Sequence, residues 1–175
     1  MLRIALPKLV ARPLAALNLV ALNGAVLSLC LGVSAGPASA QGRVATLEQR
    51  FTGAERVVVA AASAVSAGWR QTVYGDRIIV TRVLLNVDET FKGAAAEQLW
   101  LEIEGGTVDG VTLEVSSVPL MHAGERAVFF LDAAEGNLHR PFLKGQGILK
   151  LDKDELVRGS TLHLNQIRSL SLGRR

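Results

Sequence analysis

Arg77-Ile-Ile-Val-Thr-Arg-Val-Leu-Leu-Asn-Val-Asp-Glu-Thr-Phe91-Lys92-Gly93 is the stretch that decides the fold. Ile79, Val83, Leu85, Val87 and Phe91 share one parity, with Thr81 and Glu89 as its polar members. Arg82, Asn86, Asp88 and Thr90 occupy the other parity. A repeat of two with one apolar face is a half-buried strand. Near Ile78 and Val80 both parities are apolar, as expected where something covers the sheet. At about 3.3 Å per residue, Arg77 to Phe91 would reach roughly 50 Å, against a usual strand length of about 5–6 residues. Such a strand must coil, bend or split, as strands do in a small closed barrel. Lys92-Gly93 then ends it, because glycine lets the backbone turn where a side chain would clash.

On the C-terminal side, Leu99, Leu101 and Ile103 alternate with Trp100, Glu102 and Glu104. Gly105-Gly106 reads as a turn. Val111, Leu113 and Val115 alternate with Thr112, Glu114 and Ser116, so the two runs are expected to form a hairpin that Pro119 closes. His122 to Arg126 reads as a turn. Ala127-Val-Phe-Phe-Leu131 is apolar on both faces and is expected at the centre of the sheet. Glu135-Gly-Asn137 is a hairpin signal, and Gly145 to Leu151 reads as a further strand. Ser160 to Leu172 fits a short helix stopped by Gly173, with a strand over Thr161 to Leu164 as the alternative.

On the N-terminal side, Thr46 with Gln49 fits a capping box, and Leu47 and Phe51 share a helix face that Gly53 would end. Glu55 to Gly68 reads as a strand because of its β-branched start. Trp69 to Asp76 reads as a hairpin loop. The sum is an all-β domain: a small antiparallel barrel of about five to six strands with short N- and C-terminal helices.

Residues 1–40 read as an address. Arg3, Lys8 and Arg12 precede an apolar run from Leu14 to Val33, and Ala38-Ser39-Ala40 is a cleavage site before Gln41. This is the pattern of a bacterial secretory signal. A retained membrane anchor and a lipoprotein acylated at Cys30 are the alternatives. Membrane contact is expected only through this segment before cleavage. Cys30 is the only cysteine, so the exported chain must hold together by packing alone. Three of the 19 basic residues lie in the segment and all 16 acidic residues follow it. Residues 41–175 are therefore near neutral, which argues against a nucleic-acid partner. They suffice for one domain, with its core at about 55–151.

The order of motifs resembles bacterial exported domains of the netrin-like, or tissue-inhibitor-of-metalloproteinase-like, class. The matching residues are Thr81-x-Val83, then Val87-x-Glu89-x-Phe91-Lys92-Gly93, Gly105-Gly106, Pro119, Gly124-Glu125-Arg126, Phe129-Phe-Leu131 and Gly145-x-Gly147. Leu47 and Val57-Val-Val59 match the entry helix and first strand. The resemblance implies a five-stranded oligonucleotide/oligosaccharide-binding (OB) barrel. It also implies binding to another secreted protein, a protease among them, or to an envelope component, rather than catalysis. Animal inhibitors of this class act through an N-terminal cysteine amine, which this chain lacks, so that mechanism does not carry over. No His-Glu-x-x-His helix is present either.

Other chemistry is weakly signalled. His122, His139 and His163 lack ligand spacing and read as turn or surface residues, so no metal is expected. Ser117, His122 and Asp132 come without a nucleophile elbow. Gly145-Gln-Gly147 lacks the rest of a dinucleotide fingerprint, so no cofactor is expected. Glu102, Glu104 and Glu114 read as a solvated strand face, with sugar or metal binding, or a carbohydrate-acting enzyme, as the alternative. The residues expected to meet a partner are Trp69 and Tyr74 at the first hairpin loop, and Trp100 with Glu102 and Glu104 on the outward parity. A structural envelope component is the third reading.

Overall fold

The computed structural model describes residues 44–134 and 136–173. The segment read as an address, with the cleavage site expected between Ala40 and Gln41, and Cys30, Glu135 and Arg174-Arg175 lie outside the described residues. Among the described residues no helix is long and apolar enough to cross a membrane.

The chain runs α1 (Leu47–Gly53), β1 (Arg56–Gln71), β2 (Arg77–Lys92), β3 (Gln98–Glu104), β4 (Gly106–Val108), β5 (Val111–Leu113), β6 (Arg126–Ala133), β7 (Leu138–Pro141), a 3-10 turn (Lys144–Gly147), β8 (Ile148–Lys150) and α2 (Leu164–Leu172). Strands β1, β2, β3, β7 and β6 hydrogen-bond in that order, and β6 returns to β1. The ring is a small OB-like barrel, with β8 added beside β6. All its pairings are antiparallel except β3–β7, which is parallel and joins only Trp100 to Leu138 and Leu101 to His139. Pro141 has no N–H to extend that ladder.

The long strands behave as their length requires. β1 pairs β6 only over Arg56–Ala61, then continues with β2 alone to Gln71. Irregularities at Val57/Val58, Val59/Ala60 and Ala62/Ala64 let it coil. The apolar residues on both faces of β1 and β6 fill two cores. Val58, Ala60, Val83, Leu101 and Phe129 fill the barrel interior. Val57, Val59, Val128 and Phe130 lie outside it, under α1 and α2, packed against Phe51, Leu164 and Ile167.

Lys92-Gly93 does more than turn the chain. The Lys92 ammonium donates to the carbonyls of Phe51 (3.1 Å), Thr52 (2.8 Å) and Ala54 (2.5 Å), closing the C-terminal end of α1. Gly93 has φ +88° and sits against the backbone of Glu55 and Arg56. The capping box at Thr46 and Gln49 is formed as expected. The C-terminal segment is helical as one of the two expectations had it, capped by His163 with Gln166.

Several sequence readings are corrected. Trp69–Gln71 belongs to β1, and the hairpin loop is only Thr72 to Asp76. The 99–104 and 111–115 runs do not pair with each other. β5 pairs instead with β4, and Pro119 lies in the following loop. Gly105-Gly106 is a bend rather than a turn, at φ +107° and +130°. Thr81 is the reason: its buried hydroxyl donates to the Gly105 carbonyl (2.7 Å), and a Cβ on Gly106 would fall 2.5 Å from the Thr81 Oγ1. Gly145 and Gly147 lie in the 3-10 turn, not in a strand. A Cβ on Gly145 would fall 1.5 Å from the Ser117 carbonyl, and one on Gly147 2.4 Å from that of Phe142. His139 is buried on β7, a strand the sequence reading missed.

Candidate functional site

Alternation along β3 sends Trp100, Glu102 and Glu104 to the outside of the barrel. Glu102 nevertheless is only 3% exposed, and this corrects the expectation of a solvated acidic face. Arginines from three other strands cover it. Arg82 faces it across the β2–β3 ladder, Arg140 reaches in from β7, and Arg70 from the projecting half of β1. Their nearest approaches are Arg70 Nε to Oε1 at 3.4 Å, Arg140 Nη2 to Oε1 at 3.5 Å and Arg82 Nε to Oε2 at 3.5 Å.

These contacts are long. A charge-assisted N–H to carboxylate bond is normally about 2.7–2.9 Å. Arg70 Nε and Glu102 Oε2 are buried without a hydrogen-bond partner. Among the described residues, Glu102 is the side-chain partner of all three arginines. Each guanidinium carries five N–H donors, so most of them are uncommitted. The cluster has three positive charges against one negative.

Around it runs a groove along the β3–β7 seam. At one end Arg82, Trp100, Asn137 and Leu138 line a depression. In the middle Ala133, Ala134 and Leu138 stand beside the arginines. At the other end Ile103, Glu104, Val118, Pro141 and Lys144 form the walls. Trp100 is 39% exposed at the rim. The seam is open here because β7 pairs β3 over so short a length.

Of the remaining expected contact residues, Tyr74 and Trp69 stand outside this groove and Glu104 on its far wall. Tyr74, 89% exposed, stands at the tip of the β1–β2 hairpin. Trp69 lies under the Arg77 guanidinium, 4.7 Å from its ring centroid. Glu104 is exposed at the far wall, and Glu114 lies beyond β5. The sequence reading missed Arg70, Arg82, Arg140 and Lys144. Arg82 carried a signal, since its outward parity on β2 matched that of Glu102 on β3. Arg140 carried none, because nothing local marks β7 as the neighbour of β3.

The motif residues Glu89 and Glu125 serve a different ion-pair network, which straps the C-terminal segment to the barrel. Arg168 of α2 binds Glu89 and Glu155, and Arg126 binds Asp88 and Glu155. Glu125, after Gly124 at φ +85°, binds Lys150 and Arg158. Burial pushes the Glu125 carboxyl up, but hydrogen bonds from Lys150 and the His122 backbone N–H bring it below its ordinary value. The Arg168 hydrogen bond, opposed by burial and reinforced by Arg126, holds Glu155 down as well. Of the histidines, His139 Nδ1 lies 3.2 Å from the Asn137 carbonyl, and His163 caps α2. Among the described residues no three His, Cys, Asp or Glu side chains group as metal ligands.

A scan against protein-family models finds no match to this chain, and a search of curated proteins finds no similar sequence.

Proposed function

We propose that residues 41–175 are an exported, non-enzymatic binding domain of the netrin-like type, and that its contact surface is the groove between β3 and β7. One observation carries the reading: Arg70, Arg82 and Arg140 converge on a single buried carboxylate beside the exposed ring of Trp100. The three positive charges share that one carboxylate, at contacts of 3.4–3.5 Å, and their side chains line an open groove. Arginine and tryptophan are enriched where protein partners bind tightly. OB barrels use the same strand face with its flanking loops, an analogy at the level of fold.

Export rests on the address segment, and the netrin-like reading on the motif order. The partner is another exported protein, a secreted protease among them, or an envelope component. The carbohydrate reading loses its acidic face, because Glu102 is covered by arginines and Glu114 lies elsewhere. A structural role with a retained anchor predicts an uncut N-terminus, and mass spectrometry of the native protein decides between them.

The test is affinity capture from the native host with the exported chain, its Trp100→Ala variant and its Arg82→Gln variant. Both changes are at exposed positions and are expected to leave the fold intact and abolish most of the capture. Equal capture by all three would remove this groove as the contact surface.

A further inference from the structure

We infer that the groove receives a short acidic peptide segment in extended form, its carboxylates seated on Arg82, Arg140 and Arg70 and an apolar side chain laid against Trp100 and Leu138. The inference rests on the binding-domain reading above and names the chemistry of its ligand.

Four features point to it. The first is charge: three guanidiniums face one carboxylate, and the contacts of 3.4–3.5 Å leave their N–H forks free for shorter bonds. Glu102 is too deeply placed to satisfy them, yet it fixes where they stand. The second is geometry. A guanidinium fork matches a planar carboxylate in two parallel hydrogen bonds, whereas a lysine is only a point charge. The third is shape. The depressions share Arg82 and Leu138, then Arg70, Glu102 and Arg140, so they form one channel. It follows β3 from Trp100 to Glu104, roughly 13 Å at about 3.3 Å per residue, the reach of four or five extended residues. Its walls carry apolar groups (Leu138, Val118, Pro141) as well as the cations, which suits a segment with both acidic and apolar side chains.

The fourth is the charge of the whole molecule. Acidic and basic residues balance after residue 40. A nucleic-acid backbone or an anionic membrane would call for a basic field over a wide surface. Here the chain is balanced overall and three guanidiniums stand together over one carboxylate, so a few carboxylates satisfy them.

The test titrates the exported chain with two synthetic peptides, acetyl-(Glu-Leu)3-amide and acetyl-(Gln-Leu)3-amide, by calorimetry and tryptophan fluorescence. The expected result is binding of the glutamate peptide that weakens with salt, and glutamine-peptide binding weaker by about tenfold or more. Arg82→Gln and Arg140→Gln should each weaken the glutamate peptide by about fivefold, while Arg82→Lys keeps the charge and loses part of the fork. Equal binding of the two peptides, or of neither, overturns the inference. So does inorganic phosphate that binds as tightly as the glutamate peptide and displaces it, since the site would then be one for simple anions. If host-protein capture still depends on Trp100 and Arg82 while the peptide fails, only this inference falls. If capture is indifferent to both residues, the binding-domain reading falls with it.

Discussion

Replacing Glu102 with glutamine keeps the size of the side chain and deletes the one negative charge among three positive ones. At 3.4–3.5 Å each ion contact has a gross attraction of about 5 kcal/mol for an effective dielectric constant of about 20. Most of this is offset by the desolvation of a carboxylate that is only 3% exposed. Removing one partner of a buried pair typically costs about 3–5 kcal/mol, because the other charge is left uncompensated. Here the side chains of Arg82 and Arg140 are 55% and 53% exposed and can rehydrate, so the lower end applies. The expected loss is about 3 kcal/mol, or roughly 10 °C in Tm for a domain of this size. Far-UV circular dichroism during thermal and urea unfolding reads it directly. A second arm adds sulfate. It stabilises both proteins by exclusion, but should stabilise Glu102→Gln more, because the anion replaces the missing charge. A variant that melts within about 1 °C of the parent and responds equally to sulfate would refute the idea that Glu102 organises the arginines.

Gly106→Ala should cost about 2–3 kcal/mol, since φ is +130° and the new methyl meets Thr81 Oγ1. Thr81→Ala should fail to rescue it, because the backbone strain remains; chemical denaturation of the single and double variants checks both. Lys92→Met should cost about 1 kcal/mol and raise hydrogen exchange in α1 while leaving the barrel strands protected. Glu125 and Glu155 have depressed folded-state pKa values, so the stability they contribute is present above about pH 4.5 and is lost as pH falls through the depressed values. Lys150→Met should remove part of that acid dependence from the Glu125 side, measured as a flatter fall in urea midpoint from pH 5 to pH 3 (about the range set by ordinary carboxylates).

Much of the fold was legible from local pattern. The period of two in Arg77–Phe91 defined β2 and its inward face, since a strand exposes alternate residues to opposite sides. The apolar run Ala127–Leu131 announced a strand covered on both sides, and the barrel interior and the helices supply those covers. Thr46 with Gln49 announced α1, because a capping box is complete within four neighbouring residues. Glycine positions were legible as breaks but not as kinds of break. Gly145 and Gly147 avoid the carbonyls of Ser117 and Phe142, which no neighbour in sequence could reveal.

The sequence by itself determined that the chain is a β barrel and that Trp100 and Glu102 point away from its interior. Only the tertiary structure decided what that outward direction meets. Parity assigns a side chain to a face, but it does not say which strand lies alongside. The parallel β3–β7 contact, two residue pairs long, brings Arg140 beside Glu102. With Arg70 and Arg82 it turns an apparently solvated acid into the buried anchor of a cationic groove. Those four residues lie on four different strands, so their meeting is a product of barrel closure and leaves no local trace.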